Sequence, residues 1–425
     1  MQTDSNARAG TGEPASGSPD RRVSAPAWVP SDDGFAGATD RQVLVVGDTV
    51  AGLTLALLLG RAGYDPLLAA GDGEGSSSRL AYLWPPALRV LAAVNAGGSV
   101  LDRARVVDGV SVHRAAAGSA EPATFSRTAD GAAAPPVVVP APALRRTLRE
   151  TLSGRVRLDR TVETLSRHDG GLTAEFGGGV REWFDAVVDA SAGTPALGPP
   201  GTGPGDTDAG VTLAQYETVL GDDDPAPNRL RDAWWPGVLV QHLPHPDDGG
   251  RLLRVTTAGR DPRAALVEDG PDGPATGGGP DPDAVAAALA GAEPAGRRQV
   301  WLPPAAASPA RWGRGRIARC GGAACPFAPA SGFRASVAIE DALAFVSRLA
   351  RGPQSTTGAV DAYARDRARR VGTIRTRARA ALPDHGYPVP DGDRSRLAAL
   401  GVLRTVALGP FLGGSLPSLQ RDGFE

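Results

Sequence analysis

The chain has 425 residues, of which 41% are hydrophobic and 22% charged, a composition typical of a globular protein with roughly two to three domains. Its 45 basic and 47 acidic residues give a net charge of −2, so there is no basic excess of the kind that predicts nucleic-acid binding. Every basic residue is an arginine, which excludes Schiff-base chemistry and a lysine general base. Two cysteines exclude a disulfide scaffold.

The first 40 residues are polar and rich in Gly, Pro, Ser and Asp, which predicts a disordered leader at 1–40. They contain no apolar segment of the kind that marks a secretory signal. No apolar run in the chain reaches the about 20 residues that a transmembrane helix needs. We therefore expect a cytoplasmic protein without a transmembrane span.

An ordered βαβ unit is predicted directly after this leader. The β-branched run Gln42–Val46 predicts a buried parallel strand that ends at Gly47. The leucine-rich segment Ala51–Ala62 predicts a helix, and Tyr64–Ala70 a second strand. Strand, glycine turn, helix and strand in this order are typical of a doubly wound sheet.

The turn Gly47–Gly52 (GDTVAG) stands where a G-x-G-x-x-G fingerprint is expected. In that fingerprint the glycines allow a tight turn and a close approach of a diphosphate to the helix N-terminus. Here the middle glycine is replaced by Thr49, whose branched side chain should crowd a diphosphate. The acidic residue expected at the end of the second strand is replaced by Ala70, and Asp72 lies two residues beyond it.

The rest of the chain predicts a second sheet and further helices. Residues 211–257 alternate apolar and polar side chains, which predicts an antiparallel sheet, whereas 261–297 are Gly/Pro/Asp-rich and predict an insertion with one short helix. Other predicted elements are a helix at 142–152, a strand at 156–158, a β-meander at 162–189, a strand at 316–320, a helix at 335–349 and an arginine-rich helix at 360–382 with a solvated face.

Two blocks about 270 residues apart resemble a known family. The segment 43–63 (VLVVGDTVAGLTLALLLGRAG) is similar to the opening of FAD-dependent monooxygenases of the para-hydroxybenzoate hydroxylase type. The segment 312–342 (WGRGRIARCGGAACPFAPASGFRASVAIEDA) follows that family's pattern G-D-A-A-H-P-x-x-P-x-x-G-Q-G-x-N-x-A-I-E-D-A almost position for position. The resemblance covers about residues 42–375.

The resemblance implies an α/β (α+β) fold, in which a Rossmann-like FAD/NAD(P)-binding domain is interleaved with an antiparallel-sheet substrate domain. It implies a monooxygenase that hydroxylates an aromatic or apolar small molecule with FAD, NAD(P)H and O2. The cofactor-binding positions that it implies are Gly47, Thr49, Ala51, Gly52, Ala70, Arg79, Gly321, Gly322, Pro326 and Gly332. It identifies no catalytic residue, and no metal site is expected.

The departures from the family's pattern are concentrated in its polar groups. The family's Asp, which bonds the ribityl chain, is Gly322, its His is Cys325, and its G-Q-G-x-N is 332–336 (GFRAS). The family's middle motif aligns with 189–193 (DASAG). The Arg that the family often has before the helix at Leu144 is Ala141 here. Lost hydrogen bonds of this kind predict weak FAD binding or none.

Two alternatives to the monooxygenase remain open. The replacement of polar groups in the FAD-binding motifs favours a flavin-free relative that acts as a binding or regulatory module. The segment 189–193 (DASAG) is closer to the D-A-S-G variant of flavin-dependent reductases of prenyl chains than to the Asp-Gly motif of the monooxygenases, which favours such a reductase.

The resemblance divides the chain into interleaved domains. FAD-binding segments are expected at 41–110, 141–200 and 306–382, and substrate-domain segments at 111–140 and 201–305. The apolar tail 383–425 either packs in the core or forms a lid or a peripheral membrane contact.

Several individual residues are interpreted from their surroundings. Cys320 and Cys325 are expected as buried small side chains rather than a redox pair, and Glu340 and Asp341 as helix-packing residues. His242 and His245 are expected in a solvated loop. Trp234 and Trp235 fill the core of the second sheet or line an apolar pocket.

Overall fold

The structure is a computed structural model that describes most of the chain between residues 41 and 379. The described residues are 41–69, 79–114, 118–119, 123–124, 136–152, 161–192, 211–221, 228–235, 238–246, 250–258, 261, 263–264, 266, 281–290, 294–300, 308–325, 334–350 and 355–379. The predictions that lie outside them concern the leader 1–40, the strand at 156–158, the tail 383–425 and the residues Ala70, Asp72, Gly193, Pro326 and Gly332.

Helices and strands alternate along the described part of the chain. The helices there are α1 (Val50–Arg61), α2 (Pro85–Ala93), α3 (Gly97–Leu101), α4 (Ala141–Thr151), α5 (Pro282–Ala290), α6 (Pro309–Trp312), α7 (Arg334–Ala350) and α8 (Thr356–Arg379). The strands are β1 (Gln42–Val46), β2 (Asp65–Ala69), β3 (Leu80–Leu83), β4 (Arg105–Val106), β5 (Gly109–Arg114), β6 (Gly118–Ser119), β7 (Ala123–Thr124), β8 (Val137–Pro140), β9 (Val162–Arg167), β10 (Leu172–Phe176), β11 (Val180–Phe184), β12 (Ala186–Asp189), β13 (Val211–Leu220), β14 (Arg229–Trp235), β15 (Val238–Pro244), β16 (Arg251–Ala258), β17 (Pro294–Val300), β18 (Gly313–Arg314) and β19 (Ile317–Arg319).

The predicted doubly wound unit forms the centre of a five-stranded sheet with the order β18-β19-β12-β1-β2. Strands β2, β1, β12 and β19 run parallel, and β18 pairs antiparallel with β19. Both faces of β1 are covered, since Val43 and Val45 pack in the core with α1 and α7, and Leu44 and Val46 pack on the other face. Burial on both faces explains the unbroken apolar sequence of this strand.

The predicted β-meander covers that other face. Strands β9, β10 and β11 form an antiparallel sheet whose Phe176 and Phe184 share a core with Leu44 and Val46 of β1. The two phenylalanine rings meet edge to face, with their centroids 6.3 Å apart. The meander therefore closes one side of the parallel sheet.

The predicted second sheet is also present and is larger than expected. Its strand order is β17-β13-β16-β15-β14-β5-β6, with β7 pairing to β5. The pairs are antiparallel except for β14 and β5, which run parallel. Residues 109–124 and 211–300 thus meet in one sheet, although residues 125–210 separate them in the chain.

A small sheet that the sequence did not reveal joins β3, β8 and β4. Strand β8 lies at the end of the predicted substrate segment 111–140, yet it pairs with β3 and β4 and not with the large sheet. All three strands are short, and their residues Leu80–Leu83 and Val137–Val139 are buried in the main core. Strands β3 and β8 are short and apolar throughout, and β4 has only two residues, so none of the three carries an alternation that a sequence pattern could detect.

The prediction of a solvated arginine-rich helix is wrong for part of α8. Arg365 and Arg369 are exposed, but Arg367 is only 3% exposed and its guanidinium lies 2.5 Å from the Asp341 carboxylate. Helix α8 packs against α7, which buries Asp341 and so requires a buried cation opposite it. Among the described residues, no helix is long and apolar enough to span a membrane.

Candidate functional site

The parallel strands bring their carboxyl ends to one edge of the five-stranded sheet. There β1 continues into Gly47, β12 into Ala190 and β19 into Cys320. The chain leaves β1 toward β2 on one side, while β12 pairs with the other side of β1. This is a topological switch point, where open α/β sheets bind their ligands. The two resembling blocks, far apart in sequence, meet at this edge.

The two glycines of the βα turn are required by the chain's own packing. Gly47 has a φ of +108°, and its amide donates a hydrogen bond of 2.9 Å to the Ala69 carbonyl. A Cβ at Gly47 would lie 2.9 Å from the backbone of Ala190, and a Cβ at Gly52 would lie 1.9 Å from the Gly47 oxygen. Both positions exclude a side chain whether or not a ligand is bound.

Thr49 caps helix α1 in the place of the middle glycine. Its hydroxyl donates to the Ala190 carbonyl at 2.6 Å and accepts from the Gly52 amide at 3.3 Å. The other amides of the first turn, those of Val50 and Ala51, have no acceptor within the helix because of helix geometry. The helix N-terminus therefore keeps donors and a partial positive charge at the switch point.

Asp48, which sequence reasoning missed, adds a charged cluster to the same turn. One oxygen of its carboxylate, Oδ2, contacts both Arg145 and Arg149 of α4, with the Arg145 Nη2 at 2.6 Å. The Arg145 Nε also donates to the Asp48 carbonyl at 3.0 Å. We call Asp48, Arg145 and Arg149 the turn cluster. Its sequence signal was an acid in the glycine turn together with two arginines four residues apart on a helix.

The second block forms a short 3-10 turn, Gly321–Ala323, directly after β19. Gly321 has a φ of +60°, and a Cβ there would lie 2.9 Å from the Ala51 Cβ. Gly322 is half-buried in the same turn. Thus Ala51 of the first block and Gly321 of the second block pack against each other.

A buried ionic cluster of two carboxylates and two arginines lies behind this turn. The Asp341 carboxylate accepts a 2.8 Å hydrogen bond from the Gly321 amide and pairs with Arg367, while Glu340 pairs with Arg370 at 3.1 Å. We call Glu340, Asp341, Arg367 and Arg370 the helix cluster. Burial raises the pKa of Asp341 to about 6, although Arg367 and the Gly321 amide both lower it. The prediction that Glu340 and Asp341 serve helix packing is confirmed.

The two cysteines are buried free thiols, as predicted. Burial raises the pKa of the Cys320 thiol well above its ordinary value. Because the thiolate is the reactive form of cysteine, Cys320 is poorly suited to nucleophilic or redox chemistry.

Arg79 links the small sheet to the large sheet through its backbone. Its amide donates to the Glu217 carboxylate at 3.0 Å, and its carbonyl accepts from the Ala141 amide at 2.8 Å. Residue Arg79 itself is exposed. Its position at the start of β3 places it where the small sheet meets strand β13.

Glu217 begins a buried polar row that crosses four strands of the large sheet. The cross-strand register pairs Glu217 with Arg254, Arg254 with Gln241, and Gln241 with Asp232. Glu217 and Arg254 form an ion pair of 2.8 Å, and the Gln241 amide donates to Asp232 at 3.0 Å. All four residues are at most 2% exposed. The opposite face of this sheet is apolar and is covered by Val285 and Leu289 of α5.

Other predicted residues have different outcomes. His242 lies within β15 and not in a solvated loop, so that prediction is wrong for it, while His245 follows the strand. Trp234 and Trp235 lie in β14, but their side chains are outside the described residues. The described residues contain no group of three or more His, Cys, Asp or Glu that could hold a metal ion.

Comparison with known proteins identifies relatives by structure only. No protein-family model matches the sequence, and no curated protein matches it. Klebsiella pneumoniae HpxO complexed with FAD and uric acid is 18% identical with a TM-score of 0.66, covering 91% of this chain and 98% of that chain. A single-residue variant of HpxO complexed with FAD is 18% identical with a TM-score of 0.67, covering 88% of this chain and 100% of the other. PqsL of Pseudomonas aeruginosa, a probable FAD-dependent monooxygenase, is 20% identical with a TM-score of 0.64, covering 85% of this chain and 99% of the other.

These likenesses extend over nearly the full length of the solved proteins. They confirm the predicted fold class, a Rossmann-like domain interleaved with antiparallel sheet. The resemblance stated from the sequence therefore holds at the level of the fold.

Proposed function

We propose that this protein is an FAD-dependent monooxygenase that hydroxylates an aromatic or other apolar small molecule with NAD(P)H and O2. The observation that carries the proposal is the convergence of the two sequence blocks at the switch point. There Gly47–Gly52 and the Gly321–Ala323 turn pack against each other through Ala51 and Gly321. The fold shared with HpxO and PqsL supports the same assignment.

The residues at this edge fit the diphosphate of FAD through backbone amides and arginines. The amides of Val50 and Ala51 are available at the N-terminus of α1, since helix geometry gives them no acceptor within the helix. Arg145 and Arg149 stand beside the turn with side chains that are 33% and 45% exposed. Against one carboxylate, two guanidinium groups leave a net positive charge, which favours a dianionic group.

When bound, FAD would supply the redox chemistry of the hydroxylation. The chain's own part is to hold the cofactor, position the substrate and exclude water. We propose that the substrate lies near the polar row of the large sheet, which Arg79 links to the small sheet through the Glu217 carboxylate. The complex of HpxO with uric acid supports a small ring compound as the substrate.

The same proposal assigns the domains and the location. We propose FAD-binding segments at 41–110, 141–200 and 306–382 and substrate segments at 111–140 and 201–305. The five-stranded sheet and the large sheet support this division, although β8 at the end of 111–140 pairs with β3 and β4. We also propose a cytoplasmic location, supported by the two free thiols.

The test is the visible absorption spectrum of the purified protein before and after incubation with excess FAD and desalting. We expect flavin bands, followed by NAD(P)H oxidation that an aromatic compound stimulates and by a hydroxylated product. ADP should compete with FAD, because it carries the adenosine and the diphosphate without the isoalloxazine ring.

A variant far from the switch point tests whether FAD binds there and not elsewhere on the surface. Arg181→Ala removes an arginine that is 69% exposed on the meander, and FAD binding should not change. If the folded protein binds neither FAD nor ADP at any accessible concentration, the proposal is wrong and the fold serves a flavin-free function.

A further inference from the structure

The turn cluster places a protein carboxylate beside the glycine turn to which the proposed function assigns the diphosphate. Asp48 lies between Gly47 and the helix cap Thr49, and its residue is only 8% exposed. Both arginines contact the same oxygen of this carboxylate, Oδ2. A carboxylate and a phosphate oxygen compete for the same donors, because guanidinium groups bind both in the same planar geometry.

The hydrogen bonding of the Asp48 carboxylate is incomplete at its second oxygen, Oδ1. Oδ1 of Asp48 is buried and has no hydrogen-bond partner within the part of the chain that the structure describes. A buried oxygen without a donor is unfavourable, since it has lost its water. The Asp48 carboxylate is therefore a poorer partner for its surroundings than an anion that used all its oxygens.

Because of Thr49, the binding of a diphosphate at this turn depends more on Arg145 and Arg149 than on backbone amides. Its hydroxyl occupies the Gly52 amide, which removes one donor of the first helical turn. The remaining amides are fewer than in a turn with a glycine at this position, so a ligand depends more on side-chain donors. Arg145 and Arg149 come from α4 and reach the turn on their partly exposed side.

We propose that Asp48 is an intramolecular competitor of the cofactor diphosphate for Arg145 and Arg149. The diphosphate must displace the Asp48 contacts when it binds, so the protein holds FAD as an exchangeable cofactor. This inference rests on the proposed function and adds a determinant of affinity to the same site.

The test is a titration of FAD, and separately of ADP, into the wild type and Asp48→Asn. Asparagine keeps the size of the side chain and removes its charge. We expect Asp48→Asn to bind both ligands about tenfold more tightly or better. Asp65→Asn is the matched control, because Asp65 is exposed in β2 of the same βαβ unit. It changes the net charge equally and should leave both affinities unchanged.

Arg149→Gln is the second variant, and it tests the arginine pair if Asp48→Asn does not fold. Arg149 is 45% exposed, so its loss should leave the protein folded. We expect this variant to bind FAD and ADP about tenfold more weakly.

The outcomes distinguish this inference from the proposed function. If Asp48→Asn is folded and binds FAD and ADP no more tightly than the wild type, or Arg149→Gln binds them equally well, the inference is wrong. A wild type that nevertheless hydroxylates with FAD would then leave the proposed function intact. If neither the wild type nor the variants bind FAD or ADP, both fail.

Discussion

The turn cluster and the helix cluster use the same chemistry in different surroundings. In each, carboxylates contact guanidinium groups beside one of the two converging turns. The arginines of the turn cluster are 33% and 45% exposed, whereas those of the helix cluster, Arg367 and Arg370, are 4% and 10% exposed in their side chains. Exposure decides what each can do. A partly exposed arginine can exchange its partner for a ligand at small cost, but a buried one cannot lose its partner without leaving a bare charge.

The largest effect should come from breaking the helix cluster. We expect Arg367→Ala to lower the free energy of unfolding by about 3–5 kcal/mol, because Asp341 would stay buried without its cation. Urea unfolding measures this. Arg369→Ala is the control, since its side chain is 71% exposed and it should change stability by less than about 1 kcal/mol. Equal effects of the two substitutions would contradict the comparison.

The next effect concerns the packing of the turn itself. A methyl group at Gly52 would lie 1.9 Å from the Gly47 oxygen, so Gly52→Ala should destabilise the protein by about 1–3 kcal/mol or more. Gly60→Ala, in the same helix, meets nothing within 4 Å and should stabilise the protein by about 0.5–1 kcal/mol. Thermal and urea unfolding of both variants should give changes of opposite sign. If Gly52→Ala is as stable as the wild type, the turn can move away from the added methyl group at little cost.

The helix cluster should also respond to pH. Burial raises the pKa of Asp341 from 3.8 to about 6, so between these values the folded state holds a proton that the unfolded state releases. The stabilisation from this group is complete below about pH 3.8 and is lost as the pH rises through 6. Relative to Asp341→Asn, the wild type should lose up to about 1.4 kcal/mol per pH unit across this window. Parallel stability curves of the two proteins would contradict this.

The smallest effect on stability should come from the turn cluster. Arg149→Ala should change the free energy of unfolding by less than about 1 kcal/mol, because the pair is partly solvated. Its ligand affinity should nevertheless fall, as inferred for Arg149→Gln. If Arg149→Ala costs as much stability as Arg367→Ala, the two clusters are alike and the contrast between them fails.

The fold was largely predictable because its signals are local. The apolar run Gln42–Val46, Gly47 and the leucine-rich helix fix a βαβ unit through burial and turn geometry alone. The alternation in 211–257 likewise predicts an antiparallel sheet, but it does not predict that the polar face of this sheet is buried. The strands β3, β4 and β8 could not be found, since they are short and pair across about 30 to 60 residues of sequence.

The candidate site was predictable in part. The sequence indicated Gly47, Thr49, Gly52 and Gly321 by motif, and the structure brings them to one edge. It did not indicate Asp48, because an acidic residue in a turn predicts no ion pair until the arginines that contact it in the folded chain are known. It also misjudged Arg367, because the burial of this residue depends on the packing of α8 against α7, whereas Arg365 and Arg369 of the same helix are exposed.

By itself, the sequence determined the fold class and the place of the glycine turns, since periodicity, glycine conformation and strand apolarity act over a few neighbouring residues. Only the tertiary structure decided which charges meet. Arg145 and Arg149 reach Asp48 from about 100 residues away, and Arg367 finds Asp341 only because α8 packs on α7. Burial sets the strength of such pairs, and burial is a property of the packed chain and not of any segment.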